Sequence, residues 1–220
     1  MQKHPLILTF ALLTLLCNPA YAAQKVIGII VYDGVLTSDI TAPAEVFGVA
    51  TKQSWFNNYE VKMIGINNQK MITTEEGLTI KVDSDITQAH KLSALIVPSS
   101  YDMQPLLKNK ALISFIKKQA SQVEWLASNC SGSYLLAEAN LLNGKKATTW
   151  AGGESDLQKK YPSVLVQHNQ NYVIDENIIT SNGGTVSYIA AIKLLSLMSN
   201  KKLAQEVFGT LQMGRITNTY

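Results

Sequence analysis

One cysteine stands in a turn that is suited to nucleophilic chemistry. The stretch Ser128-Asn129-Cys130-Ser131-Gly132 lies between an apolar run that predicts a strand and one that predicts a helix. A turn this tight holds its central residue, Cys130, in a strained backbone conformation. Small residues two positions before and after it, Ser128 and Gly132, avoid steric clashes in the turn. The side chain would then sit at the sheet edge and at a helix start, where free N–H groups lower a thiol pKa. We predict a reactive thiol, the alternative being a small apolar side chain packed in the core.

The elements around this turn predict an α/β fold with a mainly parallel sheet and helices on both faces. Ligands of such sheets bind at the carboxyl ends of the strands, so the loops after Tyr32, Val97 and Ala127 should form the site. Strands are predicted at 25–32, 59–66, 95–97, 123–127, 164–166, 172–174 and 178–180, with a hairpin within 71–82. Helices are predicted from Thr41 (a cap, with Pro43 in the first turn) and over 106–119, 132–142, 186–198 and 202–211.

The composition is that of an ordinary globular chain. Of the 220 residues, 46% are hydrophobic and 16% charged, which excludes a disordered, collagenous or coiled-coil chain. Two cysteines are too few for a disulfide scaffold. A net charge of +3 without a basic run gives no argument for nucleic acid. Because the cysteines and histidines show no ligand spacing, we expect no metal ion and no cofactor.

The first 22 residues have the features of a secretory signal peptide. Lys3 gives a positive start, residues 6–16 are apolar, and Ala20-Tyr21-Ala22 is a small-x-small cleavage site. The apolar run is too short to span a bilayer, and a lipoprotein anchor at Cys17 is disfavoured because leucine precedes it. We therefore expect export, to the periplasm if the source is Gram-negative, and a single domain over 23–220 that keeps one thiol and does not bind the membrane.

Four stretches together resemble the DJ-1/PfpI superfamily, which has the class I glutamine-amidotransferase-like fold. They are 28–50 (GIIVYDGVLTSDITAPAEVFGVA), 95–100 (LIVPSS), 130–149 (CSGSYLLAEANLLNGKKATT) and 175–188 (DENIITSNGGTVSY). The pattern is most similar to isonitrile-hydratase-like proteins and to the amidase-like domain of some AraC-type regulators. This resemblance covers about residues 25–200. It implies a flavodoxin-like sandwich, often dimeric, with a nucleophile elbow at Cys130.

The resemblance also implies roles for residues around Cys130. Asp39 aligns with an acidic residue near the reactive cysteine and would act as acid and base, although it could also cap the helix near Thr41. Ser99 and Ser100 stand where the family has Gly-Gly, whose N–H groups lie at the oxyanion, and Ser131 would offer another N–H. Ordinary loop polarity is the alternative for all three serines.

This chain departs from the family pattern at two positions. Trp150 stands where the family often has a histidine, so a Cys-His dyad is not supported; the indole either walls a pocket or packs in the core. The two histidines outside the leader, His90 and His168, are expected at the surface. Ala190 replaces an aspartate of many relatives, which could alter pocket polarity or subunit contact.

Two functions follow from these residues. The first is a cysteine-dependent hydrolase or hydratase for a small electrophile such as an isonitrile, with Cys130 as nucleophile and Asp39 managing protons. The second is a binding domain or thiol redox sensor that has lost the family histidine. The expected partners are a small molecule and a second copy in a homodimer. A regulator is not expected, because the stretch after Met198 is short for a DNA-binding domain and because export argues against one.

Overall fold

A computed structural model describes residues 24–53, 56–88 and 90–216. The central sheet has seven strands in the order β10-β11-β7-β6-β1-β2-β5, parallel except for β10 against β11. In chain order the strands are β1 (Lys25–Val31), β2 (Tyr59–Gly65), β3 (Met71–Thr73), β4 (Thr79–Lys81), β5 (Ser84–Asp85), β6 (Leu92–Val97), β7 (Trp125–Asn129), β8 (Lys146–Ala147), β9 (Leu165–Val166), β10 (Tyr172–Asp175) and β11 (Ile178–Ser181). β3 and β4 form the predicted hairpin, and β8 pairs with β9.

Most of the helices form two groups, one on each face of the sheet. They are α1 (Thr37–Ala50), α2 (Gln104–Leu107), α3 (Lys110–Ala120), α4 (Gly132–Glu138), α5 (Glu154–Lys160), α6 (Val186–Met198) and α7 (Lys201–Thr210), followed by a 3₁₀ turn at Met213–Arg215. α1, α6 and α7 pack together on one face, and α2, α3 and α4 on the other, whereas α5 packs against β9. The predicted flavodoxin-like α/β sandwich is therefore confirmed. None of the helices in the described ranges is long and apolar enough to cross a membrane.

The central strands are buried on both faces, as their continuous apolar runs predict. Ile27, Ile29, Ile30 and Val31 of β1 are completely buried, so side chains on alternate faces of the sheet both contact helices. Each such side chain stabilises the fold by roughly 1.5–3 kcal/mol. This buried sheet holds the carboxyl ends of β1, β6 and β7 at one edge, where the candidate site lies.

Three helix boundaries differ from the sequence prediction. α1 begins at Thr37, and Thr41 does not cap it, because the Thr41 hydroxyl donates to the Thr37 carbonyl one turn back. The stretch 106–119 is divided between α2 and α3, because the Asn109 side chain caps α3 by accepting from Leu112 N–H at 3.1 Å. The helix after Cys130 ends at Glu138 and not at residue 142, since Asn140 takes a left-handed conformation (φ 60°). α5 was not predicted, and residues 1–22, the predicted signal peptide, lie outside the described ranges.

Candidate active site

Cys130 occupies a strained elbow directly after β7. Its φ is 51°, a left-handed conformation that costs a non-glycine residue roughly 1–3 kcal/mol. The backbone is held there because the Cys130 N–H donates to the Ser181 carbonyl at 2.9 Å. A side chain at Gly132 would collide with the Val97 carbonyl oxygen, so the position two residues later must be glycine. The predicted elbow geometry is thus confirmed.

Asp39 is a completely buried carboxylate that accepts four hydrogen bonds. One oxygen, Oδ2, accepts from the Ser99 hydroxyl at 2.5 Å and from the Ser99 N–H at 3.2 Å. The other, Oδ1, accepts from the Gly184 N–H and from the Ser187 hydroxyl, both at 3.1 Å. Because none of these donors is a backbone N–H of α1, the alternative that Asp39 caps its own helix is wrong.

A proline and an amide fix the position of Asp39. Pro43 lies four residues after Asp39 inside α1 and has no N–H to donate to the Asp39 carbonyl. The Asn129 side chain at the end of β7 supplies that hydrogen bond at 2.9 Å, and its own carbonyl accepts from the Ser181 hydroxyl at 2.7 Å. α1 is therefore tied to the residue that precedes Cys130, which holds the carboxylate and the thiol in one frame.

The electrostatics of the pair differ from the prediction of an acidic thiol. Burial, followed by the charge of Asp39, raises the pKa of Cys130 above its usual value, and hydrogen bonding to Ser99 and Ser131 only partly opposes this. Burial also raises the pKa of Asp39, against the four hydrogen bonds that it accepts. The prediction of a lowered thiol pKa was wrong because it considered the free N–H groups at the start of the helix and not the burial of the thiol. Both shifts favour the protonated form, of the thiol and of the carboxyl.

The three serines do not act alike. The Ser99 N–H faces Asp39 and not the pocket, so the prediction that it lies at the oxyanion is wrong; a buried carboxylate needs that donor. The Ser100 N–H points to Met103 Sδ at 3.3 Å, a weak acceptor that a substrate oxygen can replace. Hydrogen bonding to the Ser131 backbone lowers the pKa of Cys130, which places that N–H on the side of the thiol. Ser100 and Ser131 thus offer the N–H groups at the pocket.

A cavity of about 740 Å³ opens above the Cys130 thiol. Trp150 forms part of its wall, stacks on Tyr134 with ring centroids 5.5 Å apart, and lies so close to Gly153 that a side chain there would collide with the indole. Trp150 therefore forms part of the pocket wall and also packs against Tyr134 and Gly153. The residues that line the cavity are Leu36, Ser100, Tyr101, Asp102, Met103, Gln104, Leu107, Cys130, Ser131, Tyr134, Trp150, Asp156, Lys159 and Lys160.

Neither described histidine belongs to the site. His168 is exposed, as predicted, whereas His90 is half-buried and its Nε2 lies 2.7 Å from the Asp85 carbonyl, away from the cavity. Ala190 is buried in α6. Within the described ranges, no three acidic, histidine or cysteine side chains form a group that could hold a metal ion. The described lining of the cavity therefore offers no imidazole for proton transfer at Cys130.

Gly183 and Gly184 are site residues that the sequence reasoning missed, although their Gly-Gly pair follows a predicted strand. A side chain at Gly183 (φ 77°) would collide with Cys130 Cβ and lie 2.9 Å from Asp39 Oδ1. At Gly184 (φ 59°) it would meet nothing within 4 Å. Gly183 therefore lets the thiol and the carboxylate approach each other.

Gly183→Ala is expected to destabilise the protein by roughly 2–4 kcal/mol, which combines left-handed strain with overpacking. The matched Gly184→Ala variant carries only the strain, on the order of 1 kcal/mol. Urea denaturation of both variants measures the difference. Equal losses from the two substitutions would contradict the close approach at Gly183.

Comparison with known proteins agrees with this fold. The model of the DJ-1/PfpI family matches residues 25–196. Isonitrile hydratase of Pseudomonas putida is 28% identical over 182 residues, covering 82% of this chain and 75% of that protein. The HTH-type transcriptional regulator GbdR of Pseudomonas aeruginosa is 23% identical, covering 87% of this chain and 52% of the regulator. The crystal structure of a ThiJ/PfpI family protein from Pseudomonas syringae superposes with a TM-score of 0.76 at 20% identity, covering 86% of this chain and 75% of that one.

The match to the family model spans most of the chain and includes β1, α1, the elbow after β7, and α6 up to residue 196. The sheet and the elbow agree with the fold of the solved structure. The chain belongs to the DJ-1/PfpI family.

Proposed function

We propose that this protein is a cysteine-dependent hydratase that adds water to a small, uncharged electrophile, with an isonitrile as the substrate class. The observation that carries the proposal is the proximity of the Cys130 thiol, which lines a largely apolar cavity, to the Asp39 carboxylate, which is buried behind it. The similarity to an isonitrile hydratase supports the same chemistry.

Each step of an isonitrile hydration matches a group in this site. The Cys130 sulfur attacks the terminal carbon of R–N≡C, and that carbon takes a proton from the Asp39 carboxyl, which gives the thioimidate R–N=CH–S–Cys. Water then adds to this carbon, the nitrogen takes one proton of the water, and the C–S bond breaks. The sulfur recovers the remaining proton, and the product is the formamide R–NH–CHO. The Ser131 N–H stabilises negative charge that develops beside the sulfur.

The cavity lining has no imidazole among the described residues, which favours hydration over peptide or amide hydrolysis. Hydrolysis of an amide needs an acid that protonates a departing amine, a role that histidine fills in cysteine peptidases. Hydration of an isonitrile has no departing amine, since its nitrogen stays in the product. The raised pKa of Cys130 does not separate the hydratase from a thiol redox sensor, because attack and oxidation both need a thiolate.

The test is the product of the purified protein with benzyl isonitrile, whose ring suits the apolar cavity. We expect N-benzylformamide, seen by its formyl proton in the NMR spectrum, and an 18O label in its carbonyl when the reaction runs in labelled water. No formamide above the protein-free reaction, with benzyl isonitrile and with a series of alkyl isonitriles, would overturn the proposal.

We also propose that the protein acts after export. The support is the charge, apolar run and small-x-small site within residues 1–22. In an oxidising compartment a lone thiol cannot close an internal disulfide, so the free Cys130 remains compatible with an exported enzyme.

A further inference from the structure

Ser99 occupies a position that joins the two reacting groups. It follows β6, whose Val97 pairs with Ser128 of the parallel strand β7, so Ser99 and Cys130 leave the sheet edge side by side. Ser99 is completely buried, and its hydroxyl lies 2.5 Å from Asp39 Oδ2. Hydrogen bonding to Ser99 is also one of the effects that lower the pKa of Cys130. Ser99 therefore lies beside Cys130 at the sheet edge and bonds Asp39 directly.

No direct hydrogen bond joins the Cys130 thiol to Asp39 among the contacts of the described residues. The Asp39 oxygens are instead occupied by two N–H groups and two hydroxyls. An N–H group cannot accept a proton, and the second hydroxyl, that of Ser187, bonds the oxygen on the other side of the carboxylate. A serine hydroxyl can accept one hydrogen bond while it donates another.

We propose that Ser99 relays the proton between Cys130 and Asp39 and is thus a further catalytic residue of this site; for turnover, the proposal rests on the proposed hydratase function. In the forward step the S–H bond breaks and its proton binds Ser99 Oγ. At the same time the original Ser99 O–H proton passes to Asp39 Oδ2. A neutral thiol and a carboxylate become a thiolate and a carboxylic acid, with no change in total charge. After attack, Asp39 gives this proton to the isonitrile carbon, and the sulfur regains a proton from the added water when the C–S bond breaks.

The sequence gives a reason to assign this device to the present chain. Ser99 stands where the family pattern that the sequence resembles has glycine, which has no hydroxyl. The replacement supplies a proton carrier in a site that has tryptophan, Trp150, at the position of the family histidine. Ser99→Gly and Ser99→Ala both remove the hydroxyl and keep the N–H that Asp39 Oδ2 accepts.

Ser187→Ala is the matched comparison, because it removes a hydroxyl bond from the other oxygen of the same carboxylate. With benzyl isonitrile, we expect Ser99→Ala to lower kcat at least about tenfold, and by no more than the roughly 10²–10⁴-fold that positioned proton transfer contributes. Across H₂O–D₂O mixtures, the wild type and Ser187→Ala should give a curved dependence of kcat, from two protons in motion. Ser99→Ala should give a linear one. Equal rates and equal curvature in the two variants would overturn the relay, and Ser99→Gly repeats the test should the alanine variant fold poorly.

A second measurement needs no substrate. Iodoacetamide alkylation of Cys130 against pH should shift to higher pH in Ser99→Ala, because the thiolate loses a donor. It should not shift to higher pH in Ser187→Ala, which removes a donor from Asp39 only. This shift without any formamide from the wild type would support the Ser99 contact and reject the hydratase. Formamide formation with no shift and no kinetic difference would reject the relay alone.

Discussion

Cys130→Ser is expected to lower the rate of isonitrile hydration by at least about 10³-fold, as losses of a catalytic nucleophile do. Serine differs by one atom and keeps the elbow, but its hydroxyl ionises far less readily than a thiol. The described residues offer no imidazole in the cavity that could activate such a hydroxyl. The measurement is formamide formation by both proteins under identical conditions, with the formyl proton as the signal.

Two controls separate lost chemistry from lost structure. The melting temperature of Cys130→Ser should stay within a few degrees of the wild type, because the φ of 51° and the bond to the Ser181 carbonyl do not depend on sulfur. Mass spectrometry of the acid-quenched wild-type reaction should show a thioimidate adduct on the Cys130 peptide that the variant lacks. A serine variant with a tenth of the wild-type rate would remove the thiol from the reaction.

The elbow could be predicted because its signals are local. A buried apolar strand, a cysteine between small residues and a following apolar helix specify a turn whatever the rest of the chain does. Gly132 illustrates this, since its packing against the Val97 carbonyl follows from the tightness of the turn itself. The parallel sheet could be predicted for a similar reason, since continuous apolar strands separated by helices have few other ways to be buried.

The surroundings of Asp39 could not be predicted in this way. Its four hydrogen bonds come from residues 60 and more positions away in the chain, Ser99, Gly184 and Ser187, and no local pattern encodes their meeting. The direction of the Cys130 pKa depends on the same assembly, because burial and the nearby carboxylate outweigh the N–H groups at the helix start. The Ser99 N–H was misassigned because the orientation of one peptide group is set by which acceptor is buried beside it.

Asp39→Asn should change thiol reactivity and turnover in opposite directions. Removing the negative charge lowers the pKa of Cys130, so more thiolate exists at pH 7 and iodoacetamide should alkylate the variant faster than the wild type. The same substitution removes the group that supplies the proton to the isonitrile carbon. Formamide formation should therefore fall by about 10²–10⁴-fold, the usual contribution of a general acid or base.

The exposed Glu45, on the same helix, provides the matched control. Glu45→Gln removes an equal charge, and its partner Tyr188 can still donate to the amide oxygen. This variant should keep both wild-type rates. An Asp39→Asn protein that alkylates no faster than the wild type would show that the carboxylate does not act on the thiol. An Asp39→Asn protein that forms formamide at the wild-type rate would show that another group supplies the proton to the isonitrile carbon.

The pH dependence follows from the same pair. Catalysis needs one proton on the Cys130–Asp39 pair, so the wild-type kcat/KM should be flat between the two macroscopic pKa values and fall on either side. Because burial raises the pKa of Asp39, the acidic fall should begin at a higher pH than for an exposed aspartate. Because burial and the Asp39 charge raise the pKa of Cys130, the alkaline fall should lie above the usual thiol range. In Asp39→Asn this carboxyl is absent, so its protonation can no longer lower kcat/KM at acidic pH. The remaining kcat/KM should increase with pH as the Cys130 thiol ionises.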